Sequence, residues 1–413
     1  VVFQSIAGLL IFISVAWLLS ERPGRVAVRG ILIGVLLQLG LAVILLKAPL
    51  FQEFFLALNR VILSLEESTR AGTSMVFGYL GGGPLPFEEK LPDTSFILAF
   101  RALPLVLVIS ALSSLLFYWR LLPLVVRSFS RLLEKSMRLG GAEALGVAAN
   151  VFLGMVESPL VVRPYLKQMT RSEIFTIMTC GMATIAGTVM VLYASLLSDV
   201  VPNIMGHILT ASIISAPAAV MISKIMIPET EELTSGELIP PEESHSPMDA
   251  LTRGTIQGVS LLINIIAMLI VLVAMVHLVN LILGLFPEVG SEPITLQRML
   301  GICMAPVVWL MGVPWNESHL AGQLMGTKTV LNELIAYLDM SRLPEGSMTA
   351  RTSIIVTYAL CGFANPGSLG IMIGGMGTMV PERRSEIASL GLKTIVAGTL
   401  AKCMTGAIVG LLI

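Results

Sequence analysis

The sequence predicts an all-α polytopic membrane protein with eight transmembrane helices, two re-entrant hairpins, and an inverted repeat containing two broken helices. Three observations lead there. First, 55% of the 413 residues are hydrophobic and only 13% are charged, whereas a water-soluble domain carries about 25% charged residues. Second, apolar runs of about 20 residues, enough to cross a bilayer, recur along the whole chain. Third, two further apolar stretches, interrupted by Gly and Pro, each hold a stranded carboxylate: Glu157 in "NVFLGMVESP" and Glu333 in "TVLNELIAY".

The eight runs lie near 1–20, 30–47, 96–126, 172–199, 203–227, 256–286, 350–379 and 386–412. The first has no basic leader and no small-residue cleavage site, so it reads as a span and not as a signal peptide. The third is long enough to be strongly tilted. Segment 48–95 is acidic, with Glu53, Glu66, Glu67, Glu88, Glu89 and Asp93, and its part "FQEFFLALNRVILSLEESTR" has apolar residues at helical spacing. It reads as a helix lying on the membrane surface. The basic clusters Arg22–Arg29, Arg120–Arg138 and Arg383–Lys393 place their loops in the cytoplasm. With eight spans, both termini then face outside. The Pro-, Glu- and Ser-rich stretch 228–247 reads as a flexible connector between two halves.

The remaining stretches, 141–166 and 298–338, read as re-entrant hairpins. Irregular backbone at membrane depth persists only inside protein or along a wet cavity. Each is followed by a Met-Thr connector (Met169-Thr170, Met348-Thr349) and by an apolar helix with a related interruption, "CGMATIAGT" or "CGFANPGSL". The first hairpin is entered from the cytoplasm and the second from outside, which makes the repeat inverted. Such repeats place a site near the bilayer midplane, where broken helices expose backbone groups. A charge at the bilayer centre costs about 2.5–3.5 kcal/mol on the lenient insertion scale. No Lys or Arg lies within three residues of Glu157, while Lys328 precedes Glu333 by five and could pair with it. The other compensation is a polar chamber between the hairpin tips, where each carboxylate accepts hydrogen bonds from a ligand's O–H or N–H groups. Gly154 and Pro159 then bound the first tip.

Other chemistries find little support. A net charge of -1 argues against a nucleic-acid partner. Cys180, Cys303, Cys361 and Cys403 show no metal-ligand spacing. His207, His245, His277 and His319 show no pairing, and His277, inside a run, reads as a packed neutral side chain. No nucleophile elbow, zinc-protease or phosphate-cradling motif occurs.

Taken together, "GMVESP" at 154–159, "GTKTVLNELIAY" at 326–337 and "YALCGFANPGSLGIMIGG" at 358–375 resemble the concentrative nucleoside transporter family. The likeness covers roughly residues 100–413. It implies a homotrimer in a bacterial inner membrane. Each protomer would have a fixed scaffold (1–126 and 256–290) and a mobile transport domain (127–255 and 291–413). The activity implied is nucleoside import by cation symport, Na⁺ being favoured over H⁺, with no enzymatic step. By motif, Glu333, Asn365 and Ser368 would hold the ribose hydroxyls, and Phe363 would lie beside the sugar or base. Gly154, Met155, Val156 and Glu157 would face the base, with Val189 lining its side. Asn150 and Thr184 through side-chain oxygens, and Leu153 and Ile185 through carbonyls, would hold the cation. One departure stands out: the family's tip usually reads Gly-Gln-Thr-Glu or Gly-Met-Thr-Glu, but here Met155-Val156 precede Glu157. The expectation is relaxed base preference, leaning toward purines.

Overall fold

A computed structural model describes residues 2–87, 97–236, 244–287 and 293–413. It is all-helical, without strands among the described residues. The chain opens with α1 (Val2–Leu18), α2 (Val28–Lys47), α3 (Pro49–Phe77) and the short α4 (Leu98–Arg101). Seven helices follow: α5 (Leu105–Tyr118), α6 (Leu121–Met137), α7 (Gly141–Phe152), α8 (Glu157–Val161), α9 (Arg171–Ala183), α10 (Gly187–Leu197) and α11 (Ile204–Met226). Seven more repeat the order: α12 (Pro247–Leu283), α13 (Leu296–Leu310), α14 (Trp315–Val330), α15 (Glu333–Ser341), α16 (Ala350–Leu360), α17 (Pro366–Met379) and α18 (Arg384–Leu412).

The repeat is visible at equivalent joints. Each stranded carboxylate is the first residue of a hairpin's second limb, Glu157 in α8 and Glu333 in α15. The Met-Thr connectors end in helix caps. Thr170 Oγ1 accepts from Glu173 N at 3.1 Å while Glu173 accepts from Thr170 N, a reciprocal capping box. Thr349 Oγ1 accepts from Thr352 N at 3.3 Å. The apolar helix after each connector then breaks, between α9 and α10 and between α16 and α17.

Several boundaries differ from the sequence reading. The run at 96–126 is not one tilted helix. It stops at Tyr118, Arg120 takes a left-handed conformation (φ 59), and the amphipathic α6 restarts at Leu121. The basic residues expected in a loop therefore ride on α6. The stretch 298–338 is not a single hairpin either. Gly312 at φ 103 and Pro314 end α13 and start α14, so the hairpin is α14–α15 and α13 is the counterpart of α6. The connector is anchored at Thr234, which donates through N and Oγ1 to the buried Glu173 carboxylate at 2.8 and 2.7 Å. Residues 237–243 of that connector, and Glu88, Glu89 and Asp93, lie outside the described residues. Among the described residues, six helical stretches are long and apolar enough to cross a membrane by length and composition. The α1 helix, with 17 residues, falls just short, and 350–379 is divided by its break. The hairpin limbs, 12 and 5 residues in the first repeat and 16 and 9 in the second, are each shorter than a span.

Burial follows from position. The α9–α10 and α11 segments are surrounded by protein, whereas few residues of the strongly apolar α12 are fully buried. The α12 helix is held on α5 by close backbone approach. A Cβ on Gly254 would stand 2.6 Å from Ser110 O, and one on Gly258 3.0 Å from Leu107 Cα. This is the small-residue spacing that lets membrane helices touch. Gly254→Ala should therefore destabilise the protein by about 1–3 kcal/mol through overpacking, against a helix-propensity gain of about 1 kcal/mol. Thermal unfolding in detergent reads the sign: a melting temperature that rises would show the contact to be loose.

Candidate substrate and cation site

One cleft gathers the ends of both hairpins and both helix breaks. Its walls are the α7–α8 turn, the start of α10, the α14–α15 junction, the α16–α17 break and a face of α12. Counting the open solvent at its mouth, it spans about 870 Å³ of empty space. All the residues expected to hold substrate line it: Gly154, Met155, Val156, Glu157, Val189, Glu333, Phe363, Asn365 and Ser368.

Glu333 is 4% exposed and fully oriented. Its Oε1 accepts from Tyr193 Oη at 2.7 Å, and its Oε2 accepts from Asn365 Nδ2 at 3.1 Å. Asn365 is fixed in turn, because its Oδ1 caps α17 by accepting from Ser368 N at 2.8 Å. Tyr193 is held by the Tyr337 ring, centroids 5.1 Å apart, and Tyr337 Oη donates to Thr357 O at 2.9 Å. Asn332 caps α15 through Oδ1, which accepts from Ile335 N at 2.9 Å. A carboxylate offers about four lone-pair sites. Two of those on Glu333 remain for a ligand's vicinal hydroxyls.

Lys328 is not the partner of Glu333. Its buried ammonium donates to Ala359 O at 2.9 Å, in the last turn of α16. The α14–α15 turn reverses the chain between the two residues and aims Lys328 at the neighbouring helix. Glu157 contrasts with Glu333: it is exposed, into the same cleft, and makes no ion pair among the described residues. It curls over the hairpin turn so closely that a Cβ on Gly154 would lie 2.0 Å from Glu157 Oε2. Glycine at 154 is what leaves room for this carboxylate.

Of the residues expected to hold a cation, Asn150 and Thr184 meet beside the first hairpin. Thr184 Oγ1 donates to Asn150 O at 3.0 Å and Cys180 O at 2.9 Å. Asn150 Nδ2 donates to Gly146 O and Ile177 O at 3.2 and 3.3 Å. Its Oδ1 is buried without a hydrogen-bond partner. Leu153 and Ile185 lie outside the helices, in the hairpin turn and the break, so helix bonds do not consume their carbonyls. Neutral oxygens beside an orphaned amide oxygen suit a hard monovalent cation, since an unpaired buried acceptor is costly.

Tyr193 and Asn332 were not singled out from the sequence. Tyr193 had a signal: a Tyr in an apolar run must find a partner for its hydroxyl when buried. Its partner, 140 residues away, had none.

Comparisons with known proteins give the family. A family model described as the Na⁺ dependent nucleoside transporter C-terminus matches residues 207–410, and its N-terminal companion matches 7–80. A third, described as nucleoside recognition, matches 99–200. An uncharacterised transporter of Haemophilus influenzae is 36% identical, over 100% of this chain and 98% of that protein. The nucleoside permease NupC of Helicobacter pylori is 32% identical, over 99% and 97%. Solute carrier family 28 member 3 of Homo sapiens is 36% identical over 99% of this chain and 59% of its own length. CNTnw in an inward-facing, substrate-bound state superposes with a TM-score of 0.89 at 33% identity, covering 100% and 99% of the two chains. A variant of CNTnw in an outward-facing state gives 0.90 at 32% identity, over 100% and 97%. The chain is a membrane protein of the concentrative, Na⁺-dependent nucleoside transporter family.

Proposed function

We propose that this protein imports nucleosides by cation symport, with Na⁺ as the favoured coupling ion. The observation that carries the reading is the Glu333 carboxylate, oriented by Tyr193 and Asn365 and left with free lone pairs in the cleft it shares with Glu157. The vicinal hydroxyls of ribose match those lone pairs, and Ser368, at the same helix start, lies beside them. The apolar walls, with Phe363, Val189, Met155 and Val156, accept the flat base.

The cation occupies Asn150, Leu153, Thr184 and Ile185. It draws the first hairpin onto the α9–α10 break, and that hairpin's tip forms one wall of the cleft. Cation and nucleoside therefore bind each other's preferred state, and the coupling is reciprocal. The loaded transport domain (127–255 and 291–413) moves past the scaffold (1–126 and 256–290), with the hairpins re-entrant from opposite faces among eight spans. The protein works as a homotrimer in a bacterial inner membrane, both termini outside. Uptake of labelled uridine into proteoliposomes, with Na⁺ and pH varied independently, tests this. Uptake that ignores Na⁺ but follows a proton gradient would move the coupling to Glu157, which the cleft leaves without an ion-pair partner. Recovery of a modified product instead of the nucleoside would indicate an enzyme.

The apolar tip has its own consequence. Met155 and Val156 offer contact area and few hydrogen bonds to the base, so selectivity among bases should be relaxed, toward purines. Unlabelled adenosine and cytidine should each compete with labelled uridine, adenosine at least as well as cytidine. A strict pyrimidine preference would refute this.

A further inference from the structure

Apart from Glu157 the hairpin tip is apolar, and α12 brings a further polar group to the cleft. The α12 helix contributes Leu261, Asn264, Ile265, Met268 and Leu272. Their spacing of three or four residues is that of a single helix face. Four are apolar, and Asn264 stands among them. Its side chain is exposed, lines the cleft, and makes no hydrogen bond among the described residues. An unsatisfied amide facing lipid or a dry wall is costly, so a polar partner at this place has to come from what fills the cleft.

The register of α12 says which part of a ligand Asn264 meets. Gly367, next to the ribose-side Ser368, packs against the far ends of Met268 and Leu272: a Cβ there would lie 3.1 Å from Met268 Cε and 3.4 Å from Leu272 Cδ1. Asn264 lies one turn before Met268, about 6 Å along the axis, away from the ribose group. Met155, Val156 and Val189 line the same cleft.

We propose that Asn264 is the residue that reads the polar edge of the nucleobase, a role Met155 and Val156 cannot fill in this chain. The proposal rests on the nucleoside-transport reading. A carboxamide carries a donor pair and an acceptor side by side. Turned one way it serves a base with a ring acceptor beside an amino donor, as in adenine and cytosine. Turned the other way it serves a ring N–H beside a carbonyl, as in uracil and hypoxanthine. One side chain therefore demands a polar edge while tolerating both patterns, which is broad selectivity with a physical cause.

The test deletes the two partners separately. Adenosine is compared with purine riboside, which lacks the 6-amino group. Cytidine is compared with 2-pyrimidinone riboside, which lacks the 4-amino group. Equilibrium binding and competition against labelled adenosine are measured on wild type, Asn264→Leu and Asn264→Gln. Wild type should favour each amino-bearing nucleoside by about 5-fold or more. In Asn264→Leu, whose apolar replacement suits a membrane helix, both ratios should collapse toward one. Asn264→Gln, which keeps the amide, should retain a ratio above one. Ratios unchanged in Asn264→Leu, or already near one in wild type, overturn the assignment. A wild-type protein that binds no labelled adenosine overturns the nucleoside reading itself, and Asn264 with it.

Discussion

Glu333→Gln should lower nucleoside affinity by about 10- to 100-fold while leaving the fold intact. The cost follows from charge. On the proposed binding mode, ribose hydroxyls donate to this carboxylate, and hydrogen bonds to charged groups are worth about 1.5–3 kcal/mol. The amide would also present a donor where the cleft has no further acceptor for it. The fold survives because one amide orientation fits. Asn365 Nδ2 needs an acceptor, since Asn365 Oδ1 is committed to Ser368 N and the Asn cannot turn without losing its cap. The Gln oxygen must therefore face Asn365. Its NH₂ then faces Tyr193 Oη, now 2.7 Å from Glu333 Oε1, and a hydroxyl can accept as well as donate. Glu333→Ala has no such outlet, leaves Asn365 Nδ2 without its partner, and should lose stability as well. Isothermal binding and thermal unfolding on both variants separate the effects. Wild-type affinity in Glu333→Gln would remove this carboxylate from the site.

Asn150→Leu should abolish the Na⁺ dependence of nucleoside binding. The substitution keeps an apolar volume and removes the buried Oδ1 that has no partner. The lost donor does not strip its acceptors, because Gly146 O also accepts from Ser158 Oγ at 2.7 Å and Ile177 O belongs to helix α9. The variant should therefore fold. In wild type, Na⁺ should tighten nucleoside binding, within the 5- to 150-fold typical of coupled sites at about 1–3 kcal/mol. In the variant the factor should fall to about one. A second readout needs no nucleoside. A ligand of the folded state raises its stability, so NaCl in place of choline chloride should raise the melting temperature of wild type and not of Asn150→Leu. An equal Na⁺ response in both proteins would place the cation elsewhere.

Much of this protein was legible in the order of its residues because the relevant physics is local. A chain this apolar cannot face water. A carboxylate in an apolar run must be compensated. Gly187 and Pro366 stand where the second limbs of the broken helices begin, and Thr170 and Thr349 cap the first limbs. These depend on composition and on neighbours a few residues away. What only the tertiary structure decided was who meets whom. Lys328 is near Glu333 in sequence, yet it serves Ala359, while Tyr193 comes from another repeat to orient the carboxylate. The second hairpin loses its expected first part to α13, and Asn264 joins the cleft from a helix whose other cleft-lining residues are apolar. A hydrogen bond requires about 3 Å and a direction. Both are set by how helices cross, which no spacing along a single chain encodes.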